Sequence, residues 1–297
     1  MSSAAMPRRI WLCADDYGMS PGVNRAIREL IKLRRINATS VMMVGPAIDR
    51  AEADALKAAV SDNPGCAIGL HATMTAPFRP STMHFRPTDG SAFLRLGTML
   101  RKSLLRQLDR DMMQTEFEAQ FAAFAKMFGA PPAYADGHQH VQTFPQVRDA
   151  FLDAATRAAP EAWVRQCGSV HRWTANVTNL KAMLLGGLSA GFRRAASHRG
   201  IAFNPAFAGA YDFTRPPEFR NLMADFLEGL PDGGLIMCHP GFVDDTLRDL
   251  DPLTDQRERE YEYLAGDQFP QLLASSGAVL IDASVDLSHR VHRIAQI

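Results

Sequence analysis

Two adjacent carboxylates, Asp15 and Asp16, close the first hydrophobic run of the chain, Arg9-Ile10-Trp11-Leu12-Cys13-Ala14, and Tyr17-Gly18 follow them. A buried strand that stops on two acids places like charges together at its tip, which is unfavourable unless a cation sits beside them. Three further polar tips each follow an apolar, strand-like segment: Gly69-Leu70-His71, Asp136-Gly137-His138-Gln139-His140 and Cys238-His239-Pro240. Carboxylates and imidazoles delivered by four strand ends suit a divalent ion with an open position for water. The assignment that follows is Asp16, His71 and His138 as ligands of one divalent metal ion, zinc on donor softness. Asp15 then lies beside the activated water as general base.

Each residue also has a plainer role. Asp15 is a candidate N-cap for the next helix, and His71 a candidate exposed turn residue. His138 and His140 lie two apart, so one of the pair is expected to stand behind the ligands or simply to be packed, rather than to bind the ion itself. Asp136 is expected to orient a ligand imidazole. His239 precedes Pro240-Gly241, whose turn aims the ring out of the sheet. His84, His171, His198, His289 and His292 lack such context and read as surface or loop residues.

The elements that must position these groups alternate between strand and helix. Apolar spacing predicts helices over 21–34, 49–60, 114–128, 145–159, 180–196, 217–230 and 261–276. Buried strands are predicted at 9–14, 38–44, 66–70, near 133–136, 163–165, 234–238 and 278–281. About seven parallel strands covered by helices imply an α/β fold, and a closed sheet would gather the polar tips at its C-terminal mouth. An open doubly wound sheet would need a Gly-rich phosphate loop where Asp15-Asp16-Tyr17-Gly18 stands. Two stretches break the rhythm, about 73–110 and 172–213, and read as lid-like insertions in a single domain spanning 1–297. Phe78, Phe85 and Phe203 within them are candidate core residues or exposed aromatic surfaces. The basic, apolar segment 180–196 reads as a packed helix rather than a membrane-surface one.

Composition excludes several classes. Lys+Arg and Asp+Glu are 32 each, so overall charge points to no polyanion, and there is no basic stripe for nucleic acid. Cys13, Cys66, Cys167 and Cys238 show no paired spacing and read as buried reduced thiols, which suits a cytoplasmic protein. No apolar run approaches the roughly 20 residues of a membrane span.

The ordered motifs Ala14-Asp15-Asp16-Tyr17-Gly18, Ile68-Gly69-Leu70-His71, Asp136-Gly137-His138-Gln139-His140-Val141 and Met237-Cys238-His239-Pro240-Gly241 resemble those of the YdjC-like carbohydrate deacetylases. That family includes chitooligosaccharide deacetylases and deacetylases linked to hopanoid biosynthesis. The resemblance spans about residues 8 to 283. It implies a distorted (β/α) TIM-like barrel and metal-dependent removal of the acetyl group from an N-acetylated amino sugar. It also leaves magnesium beside zinc as the ion. Residue by residue, it matches Asp16, His71 and His138 to the metal ligands, Asp15 to the base and His239 to a general acid. Arg165 matches a substrate-facing basic residue at the mouth. Gln142 departs from the family pattern, where a second histidine is common. Competing readings are a metal hydrolase of a non-sugar amide or phosphoester, and a non-catalytic carbohydrate-binding protein. A homodimer is the default assembly.

Overall fold

The computed structural model describes residues 6–168, 180–213 and 217–286. The first half runs β1 (Arg8–Tyr17), α1 (Pro21–Lys32), β2 (Ala38–Val41), α2 (Arg50–Ser61), β3 (Ala67–Ala72), a hairpin of β4 (Thr88–Asp89) and β5 (Ala92–Phe93), α3 (Leu96–Leu104) and α4 (Arg110–Phe128). The chain continues through β6 (Tyr134–Gly137), a 3-10 segment (His138–Thr143), α5 (Val147–Ala158), β7 (Trp163–Val164), α6 (Leu180–His198) and β8 (Phe207–Ala208). It finishes with α7 (Phe219–Leu227), β9 (Leu235–Cys238), α8 (Asp245–Leu250), α9 (Asp255–Ala265), α10 (Gln268–Ser275), β10 (Ala278–Leu280) and α11 (Ala283–Asp286).

The main sheet has the order β7-β6-β3-β2-β1-β9-β8, all parallel, and β10 pairs with the start of β1. Its two margins meet through one short segment. Phe203 bridges to Val164, the last residue of β7, and four residues later β8 pairs with β9. The result is a curled, distorted TIM-like barrel, as the family resemblance implies.

Strand alternation sorts the side chains into two apolar layers. Leu12, Ala14, Leu70, Ala135 and Ile236 face the helices. Trp11, Cys13, Ala67, Tyr134, Trp163, Leu235 and Met237 fill the interior. There Tyr134 stacks on Trp163 with centroids 4.5 Å apart. Gly69 makes this possible, because a Cβ at that position would lie 2.5 Å from the Tyr134 ring.

Asn37 ties the barrel where β1 changes partner. Its amide oxygen accepts from the Leu12 N–H at 2.7 Å, and its amide nitrogen donates to the carbonyls of Ile10 (3.0 Å) and Ile281 (2.9 Å). Asn37→Ala strands these buried backbone groups and is expected to cost about 2–4 kcal/mol in urea unfolding. A loss below about 0.5 kcal/mol would show that the backbone closes on itself without the side chain.

Two expectations are corrected. The predicted helix 261–276 is two helices: α9 ends at Gly266, whose extended backbone (φ −73°, ψ 169°) breaks the ladder before α10. The stretch 73–110, expected to be irregular, contains a hairpin and α3; for its Phe78 and Phe85 the core reading holds, as both are buried. Residues 180–198 do form a packed helix, with Phe192 and Ala196 buried. His84 and His198 are exposed; His171, His289, His292 and 172–179 of the second insertion lie outside the described residues.

Candidate active site

Continuing the interior rows by two residues toward the strands' C-terminal ends gives the polar layer. Trp11 and Cys13 are followed by Asp15, Ala67 and Gly69 by His71, Tyr134 by Asp136, Trp163 by Arg165, and Leu235 and Met237 by His239. Alternation would send Asp16 to the opposite face from Asp15. Instead Asp16 adopts φ +70°, and the β1–β2 register shifts between Ala14 and Tyr17. This bulge swings the second carboxylate into the mouth as well, a strained backbone of the kind that re-aims functional side chains. Ser20, not Asp15, caps α1 by accepting from the Val23 N–H at 3.2 Å, so both acids are free for other work.

Asp16, His71 and His138 converge. Asp16 Oδ1 lies 3.2 Å from His71 Nε2 and 3.0 Å from His138 Nδ1, and one donor atom from each lies within 4.8 Å of the others. The opposite His71 nitrogen, Nδ1, is 2.6 Å from Asp136 Oδ1 and 3.1 Å from Ser40 Oγ, which fixes the ring and turns Nε2 toward Asp16. Burial opposes a charge on His71, but Asp136 and Asp15 outweigh it and push its pKa up to about 10. The ring answers the surrounding negative charge by holding a proton. A divalent cation shared by one carboxylate and two imidazoles answers it more strongly, so the donor set fits such an ion.

Asp15 is clamped by Arg165: Nη2 meets Oδ1 at 2.5 Å and Nη1 meets Oδ2 at 2.7 Å. Burial alone would raise the Asp15 pKa, yet the guanidinium holds it well below the usual carboxylate range. Arg165 also pairs with Asp136 and lies 3.0 Å from Cys13 Sγ. Cys13, Asp15 and Asp136 are themselves spaced like metal donors, but the guanidinium already lies among them. Among the described residues the arrangement is therefore one cluster with the donors to hold a cation beside one already filled by an arginine. Arg165, the basic residue expected at the mouth, directly follows β7. Its side chain is 0% exposed, because β7 delivers it inward and a buried cation needs carboxylates on more than one side.

His239 leaves the end of β9 with its backbone N–H donating to Glu260 Oε2 at 2.5 Å. Its ring is near enough to Asp15 that an imidazolium there would favour the carboxylate. Phe213 meets that ring edge-on at 5.6 Å. His140 lies to one side, with Nδ1 3.4 Å from Cys167 Sγ and its ring edge-on to Phe207; burial and then Arg165 drive its pKa down to about 3. Gln142 is buried and donates to the Arg165 carbonyl at 3.2 Å, so it braces the strand end that carries the clamp.

Sequence reasoning missed Arg257 and Glu260 on α9. Arg257 Nη2 is 2.7 Å from Asp16 Oδ2 and 2.6 Å from Asp251 Oδ2. Asp16 thus gives one oxygen to an arginine and the other to the imidazoles. In the run Asp255-Gln256-Arg257-Glu258-Arg259-Glu260 nothing local separates these buried charges from their solvated neighbours. The one available signal is their i, i+3 spacing on a shared helix face.

The family described as YdjC-like protein matches residues 9–275. A chitooligosaccharide deacetylase of Escherichia fergusonii is 28% identical over 243 residues, covering 82% of this chain and 85% of the relative. Among solved structures, one described as a cellobiose-phosphate cleavage protein of Enterococcus faecalis V583 superposes with a TM-score of 0.69 at 19% identity. It covers 94% of this chain and 98% of that one.

Proposed function

We propose, from the premise that this chain belongs to the YdjC-like family, that it hydrolyses the acetamide of an N-acetylated amino sugar to an amine and acetate, with one divalent metal ion, zinc or magnesium. The sugar is of the chitooligosaccharide kind or carried on a glycolipid. The observation that carries this reading is the meeting of Asp16, His71 and His138 next to a separately clamped Asp15. The name of the 28%-identical relative supports the substrate class.

Asp16, His71 and His138 would hold the ion, which when bound polarises the amide carbonyl and lowers the pKa of a water toward about 7. Asp15, kept ionised by Arg165, receives the proton of the attacking water. A carboxylate so depressed is a weak base in bulk water, which is why it must act beside that donor set. His239, on its own strand end, gives a proton to the departing amine, since an unprotonated sugar amine leaves poorly. Asp136 and Ser40 keep His71 in its orientation, and Arg165 fixes the plane of the Asp15 carboxylate. Arg165 is thus a positioning group here rather than a substrate contact.

A continuous apolar layer from β1 to α10 supports a single catalytic domain. The four cysteines are free and buried, which supports a cytoplasmic setting. Among the described residues no helix is long and apolar enough to cross a membrane.

The test is acetate release from chitobiose, longer chitooligomers and N-acetylglucosaminyl lipids, with and without a chelator. At least one substrate is expected to turn over, to stop on chelation and to recover when zinc or magnesium returns. Turnover of aryl phosphates instead, or acetate release indifferent to chelation, would sink the reading.

A further inference from the structure

The overall charge of zero conceals a local segregation. Between Thr73 and Leu108 the chain carries Arg79, Arg86, Arg95, Arg101, Lys102 and Arg106 against a single acid, Asp89. The five arginines are exposed and Lys102 is half-buried. Among the described residues none of these six cations is held in an ion pair. The same stretch exposes large apolar side chains: Met83 is 86% exposed, Leu105 57% and Leu104 50%, with Leu96 close behind.

The root of this stretch and α3 pack against the segment that carries His138. At the root of the excursion the Ala76 N–H donates to the Leu94 carbonyl and the Phe93 N–H to the Phe78 carbonyl. Phe78 itself packs edge-on against His138 at 5.5 Å. α3 buries Met99 and Ser103 and touches the segment His138–Thr143. At about 100° per residue, Arg101 and Leu104 share the opposite, outward face of α3, and Leu105 and Arg106 continue it.

We propose that this face docks on the surface of an anionic phospholipid bilayer. A soluble polyanion would engage the cations but gain nothing from the exposed leucines and methionine. A protein partner apolar enough to cover the leucines would have to desolvate the unpaired cations beside them. Acidic headgroups over acyl chains satisfy both at once, with leucines at the acyl boundary and arginine stems reaching back to phosphate. The contact is peripheral and sets the barrel's mouth close to the lipid surface. It concerns docking alone and stands whichever amide the site cleaves.

The experiment is co-sedimentation of the full chain with vesicles of phosphatidylcholine alone and of phosphatidylcholine mixed with phosphatidylglycerol. The wild type is expected to bind the anionic vesicles about tenfold or more tightly, with a fraction that resists added salt. Arg101→Glu/Arg106→Glu, and independently Arg79→Glu, are expected to lower that binding. Leu104→Ser/Leu105→Ser is expected to keep low-salt recruitment and lose the salt-resistant fraction. Leu33→Ser, an exposed leucine where α1 ends at the far side of the barrel, is expected to behave as the wild type. All these positions are exposed, and circular-dichroism melts check that each variant folds. Equal binding to both vesicle types would overturn the proposal. So would binding that heparin abolishes completely and that Leu104→Ser/Leu105→Ser leaves unchanged, which would identify a soluble polyanion instead.

Discussion

Asp15→Asn is expected to lower acetate release by about 10²–10⁴-fold while divalent-ion content stays at the wild-type level. The substitution keeps the size of the side chain and one oxygen that can accept from Arg165, but removes the proton acceptor. Asp15 is not among the three converging donors, so the ion should remain. A second effect must be separated from the first. Arg165 is fully buried between Asp15 and Asp136, and losing one carboxylate leaves its charge less compensated. Removing one partner of a buried pair outright costs about 3–5 kcal/mol, and the retained amide oxygen should hold the loss below that. Thermal melts and metal analysis of the same preparation therefore accompany the kinetics. A folded, metal-replete Asp15→Asn enzyme that keeps most of its turnover would remove Asp15 from the chemistry.

Asp16→Ala is expected to abolish both ion retention and turnover. Asp16 is the only carboxylate of the converging set, and its Oδ1 lies within 3.2 Å of both imidazoles. Its Oδ2 is also the partner of Arg257, so alanine leaves a buried guanidinium with Asp251 alone near the place an ion would take. Lost attraction and added repulsion act in the same direction. The fall in affinity should exceed the roughly 10–100-fold expected from disturbing an outer contact, for which Asp136→Asn is the comparison. Equilibrium dialysis with zinc and with magnesium reads both variants without requiring activity. Wild-type affinity in Asp16→Ala would dissolve the proposed metal centre. An Asp136→Asn defect equal to that of Asp16→Ala would put Asp136 among the ligands.

What the sequence determined on its own is what repeats at short range. Alternating apolar runs of strand and helix length imposed parallel strands under helices, because a buried parallel strand must be apolar on both faces and be followed by a crossover helix. Acids and imidazoles at the ends of those runs marked one end of the barrel, since parallel strands all finish on the same side. Two-residue alternation even foreshadows which of them face inward: Trp11, Cys13 and Asp15 form one such row. Tertiary structure decided the rest. Asp16 turns inward only because β1 bulges against β2, and a bulge is a property of two strands together. Arg165 meets Asp15 across 150 residues, and Arg257 meets Asp16 across 241. An arginine in a charged helix and an arginine at a strand tip look alike in sequence whether they end in water or in the core. Closure of the barrel rests on the short segment from Phe203 to Ala208, too brief to carry a hydrophobic period of its own. Pairing of charges across such separations is settled by burial, because low dielectric makes an unpartnered charge untenable, and burial exists only once the chain has folded.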